Sequence, residues 1–290
     1  MTPDITYETY AQDPGYIAVN QALIDGIDLA GVARVADLAC GTGLLSRMLL
    51  ARAPDLAICG IDLDPVQIGL AAQGMQNAGI PLSQTLEGLA PGQVHLRAAS
   101  AMELPFADGS IDLVVMGNAI HMMPDRAAFL AEVARVLRPG GRFSFNSVFY
   151  AGTFVPGTEH IWTECLKEAV IVLNEINAAR RAAGEAPVPR QRGTAQRAFR
   201  QTEWLHPAGW TGALTAAGLR VSTADEHAVP ISREGLQAVS GYGGLAEVLM
   251  SGYPVDIAAL CLQQGIARAF AALGIDEVPR NWLEVSALRS

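Results

Sequence analysis

The sequence predicts an α/β fold built on a doubly wound, mostly parallel sheet of seven strands, with helices on both faces. Three observations predict it. Short apolar runs alternate with amphipathic stretches from about residue 32 to residue 148, which is typical of consecutive βαβ units. A glycine-rich turn follows the first apolar run, in the stretch VADLACGTGLLS of residues 35–46. A last apolar run near the end of the chain is predicted to close the sheet as an antiparallel strand.

Each strand predicted in the first half is an apolar run bounded by turn residues. These five runs cover residues 33–38, 56–61, 94–98, 111–116 and 142–148. Between them apolar residues recur at helical spacing. The helices predicted on this basis cover residues 44–53, 65–78 and 126–137. Pro139, Gly140 and Gly141 follow the third helix, and we expect them to end it.

The second half is predicted to insert helices after the fifth strand and then to complete the sheet. Residues 152–218 hold a helical pattern over 161–183, a polar stretch with prolines and no clear strand. Strand character returns over 219–229, and the later predicted elements are helical patterns at 233–250 and 257–273 and a last strand at 282–288. Four segments are predicted: an N-terminal helical lid (1–30), a ligand-binding core (31–150), a helical insertion expected to cover the substrate and called the acceptor cap (151–218), and a C-terminal completion of the sheet (219–290).

Composition favours a small molecule as the partner. The 290 residues carry a formal net charge of −9, and an acidic surface repels the phosphate backbone of nucleic acids. The first residues lack the pattern of a secretory signal, and no apolar run is long enough for a membrane span, so we expect a cytoplasmic protein. The four cysteines are scattered without zinc-ligand spacing, so neither a metal site nor a disulfide framework is expected.

The glycine-rich turn predicts an adenosine-containing ligand, and its neighbours narrow the choice. Gly41 and Gly43 supply two glycines of the dinucleotide fingerprint, but Ser46 stands at the third position. Asp62 ends the second predicted strand, where a carboxylate can accept both ribose hydroxyls. Asp37 precedes the turn, where it would repel a pyrophosphate and attract an ammonium group. The residues therefore favour a cationic ligand without phosphate.

Five motifs stand in a fixed order along the first half of the chain. They are DLACGTG (37–43), GIDLDP (60–65), LPFADGSIDLV (104–114), HMMPD (121–125) and EVARVLRPGGRF (132–143). Together they resemble class I S-adenosylmethionine-dependent methyltransferases, in the branch that includes the ubiquinone and menaquinone biosynthesis methyltransferases. The resemblance implies a Rossmann-like fold, S-adenosyl-L-methionine as cofactor, S-adenosyl-L-homocysteine as product, and methyl transfer to a small-molecule acceptor on oxygen, carbon or nitrogen.

The resemblance also implies roles for individual residues. The methionine part of the cofactor would be contacted by Asp37, Cys40, Gly41 and Gly43. Asp62 would hold the ribose, with Leu63 beside the adenine. The adenine pocket would be formed by Ser100, Ala101 and Met102. Asn118 would lie near the sulfonium, and Tyr7 and Tyr10 would fold over the cofactor, although these tyrosines are equally suited to packing an N-terminal helix.

Two positions depart from the family's pattern. Ala39 stands where many members have glycine, which crowds the turn, and Ser100 stands where an aspartate commonly accepts the adenine amino group. A serine oxygen accepts the same hydrogen bond but without the charge. Asp64, directly before Pro65, is the more natural N-cap of the next helix, which leaves Asp62 for the ligand.

Several interpretations stay open at this level. His121 follows the fourth strand at the ligand-binding edge and is the candidate catalytic base, with a structural or gating role as the alternative. A cluster of arginines predicts an anionic acceptor or, equally, a solvated loop; it comprises Arg180, Arg181, Arg190, Arg192, Arg197 and Arg200. The predicted antiparallel last strand and the apolar helical pattern at 257–273 leave a homodimer open. The rival functions are an NAD-dependent oxidoreductase and a non-catalytic module that binds S-adenosylmethionine.

Overall fold

A computed structural model describes residues 8–191 and 203–290, without the side chain of Glu8. The described residues divide into two compact units. The sheet unit comprises Ile17–Thr153, Trp204–His227 and Asn281–Ser290, and the other described residues form the helical unit. Within the described ranges, none of the helices has both the length and the apolar character that a membrane crossing requires.

The central sheet contains seven strands. They are β1 (Arg34–Leu38), β2 (Ala57–Asp62), β3 (Val94–Ala98), β4 (Ile111–Gly117), β5 (Leu137–Ser147), β6 (Leu219–Ser232) and β7 (Glu277–Arg289). Their order is β3-β2-β1-β4-β5-β7-β6, with β1 to β5 parallel and β7 antiparallel to β5. This arrangement confirms the predicted fold class. The order reverses between β1 and β4, and ligands of such sheets bind outside the carboxyl ends of the strands at that point.

Helices connect and flank the strands. The first five are α1 (Glu8–Ala11), α2 (Pro14–Gly26), α3 (Leu44–Arg52), α4 (Pro65–Asn77) and α5 (Arg126–Val136). The later ones are α6 (Glu159–Ala182), α7 (Pro207–Ala216), α8 (Arg233–Gly241), α9 (Gly243–Leu249) and α10 (Val255–Leu273). Alternate residues of β4 face opposite sides of the sheet: Leu113 and Val115 pack in one core cluster, Val114 and Met116 in the other. The helices therefore cover both faces, as predicted.

Some predicted boundaries are wrong, for local reasons. Pro139 and the two glycines after it do not separate α5 from β5, because β5 begins directly after the helix and runs through them. Gly140 has a φ of 74°, and the pairing with β4 shifts register between Ile111 and Leu113, so an irregularity lies inside the strand. The helix predicted over 233–250 is two helices, because the extended backbone of Tyr242 separates α8 from α9.

Other elements are longer than predicted or were not predicted. The last strand begins at Glu277 rather than at residue 282, and β6 extends to Ser232 rather than to residue 229. Helix α7 was not predicted within the segment 152–218, and that segment is divided between the two units. Its function as an acceptor cap stays a prediction, as does that of the N-terminal lid.

Charged side chains of α5 fix the loop that precedes β4. Glu132 accepts the backbone N–H of Leu104 at 2.7 Å, and Arg135 donates to the carbonyl of Phe106 at 2.8 Å and to Asp108 at 2.7 Å. Arg135 and Glu132 also form an ion pair at 2.7 Å, which holds the pKa of the Glu132 carboxyl below its usual range. The third and fifth motifs of the chain, 104–114 and 132–143, are thus joined by one network of ion pairs and hydrogen bonds.

In the helical unit, α6 and α10 cross at small residues. A Cβ added to Gly265 on α10 would lie 2.7 Å from the Cα of Ala169 on α6 and 2.9 Å from its Cβ. Real Cβ atoms do not approach this closely, so the glycine sets the distance between the two helices. Ala169, Ala258, Ala259 and Cys261 are fully buried at this contact or beside it.

We expect Gly265→Ala to destabilise the protein, because the added methyl group must force the two backbones apart. The loss of unfolding free energy should be about 1–3 kcal/mol, measured by urea denaturation. The matched control is Gly69→Ala on α4, where nothing lies within 4 Å of the added Cβ. There alanine should add roughly 0.5–1 kcal/mol through its helix propensity. Equal effects at the two positions would contradict the packing argument.

Candidate functional site

The glycine-rich turn between β1 and α3 has a left-handed backbone, which residues with a Cβ rarely adopt. Gly41 and Gly43 have φ values of 51° and 75°. A Cβ on Gly43 would lie 2.7 Å from Cε of Met75, so the methionine side chain would have to shift to accommodate it. The turn is fixed by hydrogen bonds from the N–H of Gly43 to the carbonyl of Cys40 (2.8 Å) and from the N–H of Cys40 to the carbonyl of Ile61 (3.0 Å).

Asp62 joins the end of β2 to this turn. Its Oδ2 accepts the N–H of Gly41 at 2.8 Å and its Oδ1 accepts the N–H of Asp64 at 2.9 Å. Each carboxylate oxygen has a second acceptor site, so the group can still receive two ligand hydroxyls. Asp64 caps α4 through Val66, as predicted, with Pro65 at the first helical position. Asp62 is therefore not committed to the helix.

Asp37 is almost fully buried, at 1% exposure, and is held by the first turn of α3. Its Oδ2 accepts the Oγ–H of Ser46 at 2.6 Å and the N–H of Ser46 at 3.1 Å. Burial, with a smaller contribution from the nearby Asp62, raises the pKa of the Asp37 carboxyl to about 7, although the bonds from Ser46 oppose this rise. Ser46, which the sequence marked only as a missing glycine, is thus the hydrogen-bond partner of the buried carboxylate.

The residues predicted to contact adenine lie after β2 and β3. Leu63 leaves 75% of its surface exposed beside Asp62, so its side chain is accessible to a ligand. Ser100 Oγ accepts the N–H of Met102 at 3.1 Å and so shapes the turn that carries Ala101. Ala101 and Met102 are partly buried against the core of the sheet unit. An exposed leucine next to a carboxylate that retains acceptor sites fits an adenosine group.

Asn118 ends β4 in a left-handed conformation. Its φ is 48°, and Ala39 (φ 51°) is the other non-glycine residue of the described ranges with a positive φ. The N–H of Asn118 donates to Oδ1 of Asn146 at 2.9 Å, and its own Oδ1 accepts the N–H of Val148 at 3.0 Å. Both left-handed residues follow the strands between which the sheet order reverses. Backbone strain of this kind concentrates at ligand sites.

His121 lies in a short 3-10 turn, Ile120–Met122, just after Asn118. Its ring centroid is 4.2 Å from that of Phe149 and 6.4 Å from that of Trp204, so three aromatic rings form a cluster in the sheet unit. The ring is partly buried. This environment is compatible with the candidate base and with the structural role that the sequence left open.

The remaining predicted residues lie elsewhere. Tyr7 is outside the described residues, as are Arg192, Arg197 and Arg200. Tyr10 belongs to the helical unit, where its ring packs 4.5 Å from that of Tyr16 and burial raises the pKa of its hydroxyl. Of the other arginines, Arg180 pairs with Glu185 at 3.4 Å and Arg190 lies 5.1 Å over the Tyr253 ring. Contacts of these residues with a ligand stay predictions.

Comparisons with known proteins match part of this chain to methyltransferases. Residues 36–145 match the family described as Methyltransferase domain. The O-methyltransferase rstn1 of Aspergillus nomiae is 39% identical over 116 residues, which are 40% of this chain and 47% of the relative. The demethylmenaquinone methyltransferase of Lactiplantibacillus plantarum is 36% identical over 120 residues, 40% of this chain and 45% of the relative. The chain thus matches about half the length of these relatives.

A solved structure supports the fold. It is phosphoethanolamine N-methyltransferase 2 of Haemonchus contortus, in complex with phosphomonomethylethanolamine and S-adenosylhomocysteine. Its TM-score is 0.55 at 15% identity, and the alignment covers 98% of this chain and 56% of that chain.

Ala39→Gly should stabilise the protein, because glycine adopts a positive φ without the clash that a Cβ makes. The gain in unfolding free energy is expected to be roughly 0.5–1 kcal/mol, measured as a shift of the urea midpoint at constant slope. Ala98→Gly is the control, since Ala98 is an exposed residue of β3 without a positive φ. That change should destabilise the protein, and a loss of stability in both variants would contradict the strain at Ala39.

Asp37 predicts a specific pH dependence of stability. The unfolded carboxyl loses its proton near pH 4, whereas the pKa of the folded carboxyl is about 7. Between these values the folded state holds the extra proton, so the unfolding free energy falls as pH rises, by up to about 1.4 kcal/mol per unit, and levels off above pH 7. Asp37→Asn should remove this fall. Urea titrations from pH 4 to pH 8 measure it, and parallel profiles for the two proteins would refute it.

Proposed function

We propose that the chain is a class I S-adenosylmethionine-dependent methyltransferase, because residues 36–145 match the Methyltransferase domain family and resemble the menaquinone branch. It transfers a methyl group to a small-molecule acceptor. One observation carries the proposal: two carboxylates, Asp37 and Asp62, lie on either side of the glycine-rich turn and interact electrostatically.

This pair of carboxylates discriminates between nucleotide ligands. A diphosphate placed on the turn would bring negative charge towards both groups, at least one of which is in a low-dielectric environment. A ligand with an ammonium group gains from the same field and stabilises the ionised form of Asp37. The charge distribution therefore supports an amino-acid nucleoside over a pyridine dinucleotide.

The proposed binding residues divide the ligand between the strands. Asp62 holds the ribose hydroxyls, Leu63 and Met102 cover the adenine, and Asp37 receives the ammonium group through the turn. The cofactor supplies a methyl group on a sulfonium, which is transferred by in-line displacement. The protein aligns the acceptor and excludes water from it, which favours a reaction in which charge is neutralised.

His121 is the proposed base for an acceptor that must lose a proton, such as a hydroxyl or an acidic carbon. An amine acceptor needs only alignment.

The proposal also includes the anionic acceptor that the arginines predict, a homodimer, and a cytoplasmic location, which the four buried free cysteines support. Mass spectrometry of the purified protein tests the acceptor directly, because a retained ligand reports its own mass.

Asp62→Ala should weaken the binding of S-adenosylhomocysteine by roughly 1–3 kcal/mol, because a charge-assisted contact with the ribose is lost. Calorimetric titration measures the change. Asp64→Ala is the matched control: it removes a neighbouring carboxylate that caps α4, so stability should fall while affinity stays within about twofold. Unchanged affinity in Asp62→Ala would refute the ribose assignment.

The rival functions give different results in the same experiments. An NAD-dependent oxidoreductase would bind NAD in the calorimeter and ignore S-adenosylhomocysteine. A non-catalytic module would bind S-adenosylhomocysteine in the calorimeter. It would form none of this product when S-adenosylmethionine is incubated with candidate acceptors. Binding of S-adenosylhomocysteine together with its release during turnover is the expected outcome for the methyltransferase.

A further inference from the structure

Three asparagines form a buried chain of hydrogen bonds inside the sheet unit. Asn146 Nδ2 donates to Oδ1 of Asn20 on α2 at 3.1 Å, and Asn146 Oδ1 accepts the N–H of Asn118 at 2.9 Å. The N–H of Asn118 also reaches the carbonyl of Asn146 at 3.1 Å. Exposure of the three residues is 0% for Asn20, 2% for Asn146 and 8% for Asn118. Helix α2 is thereby connected to the end of β4.

Glycine at position 117 permits this connection. A Cβ there would lie 3.1 Å from Oδ1 of Asn20 and 3.0 Å from Cδ1 of Leu45, so an added side chain would crowd both of these side chains. Leu23 and Ile24 anchor α2 in the core with 0% exposure. Helix α2 is thus a fixed support at the point where Asn20 contacts Asn146.

The chain of hydrogen bonds ends on a strained residue. Asn118 has a φ of 48°, and its side chain also binds the N–H of Val148 after β5. His121, the proposed base, lies three residues after Asn118. Hydrogen bonds on both the backbone and the side chain of Asn118 hold a conformation that is otherwise unfavourable. The direction in which the chain leaves β4 therefore depends on Asn146.

We propose that Asn146, anchored by Asn20, is a positioning residue for the reacting end of the site. It holds Asn118 in the left-handed conformation and so sets the place of the turn that follows β4. This inference rests on the proposed function, in which Asp62 on β2 takes the ribose. The adenosine then lies towards β2 and β3, and the amino-acid part of the ligand lies towards β1 and β4.

The proposal separates two ligands that share the adenosine group. In Asn146→Ala the dissociation constant of S-adenosylhomocysteine should rise about tenfold, equivalent to the loss of one or two hydrogen bonds in the site's support. The dissociation constant of adenosine should change by less than about twofold, since its contacts lie on β2 and β3. Titration calorimetry with both compounds measures the ratio, which a general loss of stability does not change.

Ser144→Ala is the matched control on the same strand. Ser144 is fully buried and its Oγ lies 2.7 Å from Oγ of Ser286 on β7, so the change also removes a buried hydrogen bond. The thermal midpoint should fall in both variants, but Ser144→Ala should leave both dissociation constants within about twofold of the wild type.

A second variant covers the case in which Asn146→Ala does not fold. Asn20→Ala keeps both bonds between Asn146 and Asn118 and removes only their anchor, so the constant for S-adenosylhomocysteine should rise about threefold, with that for adenosine unchanged. Equal weakening of the two ligands, or no weakening, would overturn the positioning role. A wild-type protein that binds neither ligand would instead overturn the proposed function, and this inference with it.

Discussion

The buried carboxylate of Asp37 is the constraint on which the ligand-binding edge depends. A carboxylate at 1% exposure requires donors, and Ser46 at the start of α3 donates two hydrogen bonds to it, at 2.6 and 3.1 Å. Those bonds fix the first turn of the helix against β1, so the intervening turn must close over a short distance. Positive φ values at Ala39, Gly41 and Gly43 are the geometric consequence. The same buried carboxylate determines the sign of charge that a ligand can bring to the turn.

The reversal of strand order concentrates strain at two places. Ala39 follows β1 and Asn118 follows β4, and both have left-handed backbones without being glycine. They are held differently. Ala39 lies in a turn fixed by backbone hydrogen bonds around Cys40. Asn118 donates its N–H to the side chain and carbonyl of Asn146 on β5, and its own side chain accepts the N–H of Val148. The rigid β1 side suits a ligand that is bound in one orientation, and the β4 side depends on more distant support, which makes it sensitive to residues far from the ligand.

The sequence predicted the features that local pattern and charge determine. Strand periodicity, the glycine turn and the Asp64 cap are local, and they were predicted to within a residue or two at α3, α4 and α5. The errors arose where tertiary pairing decides. Pairing with β4 draws Pro139 into a strand, and a single extended residue at Tyr242 divides a continuous apolar pattern into two helices. The bond between Ser46 and Asp37 joins positions nine residues apart. The signal available in the sequence was a side-chain donor in the first turn of the helix that follows the carboxylate.

Long-range contacts explain why the candidate base was less predictable than the cofactor residues. Residues 36–145 contain the matched domain and include His121, but the rings against it, Phe149 and Trp204, lie outside that range. Asn146, which supports Asn118, also lies just beyond it. The surroundings of His121 are therefore set by segments that the shared motifs do not include. The proposed cofactor residues can be predicted from the motifs because they follow consecutive strand ends, whereas the residues around the proposed base are brought together only by the folded chain.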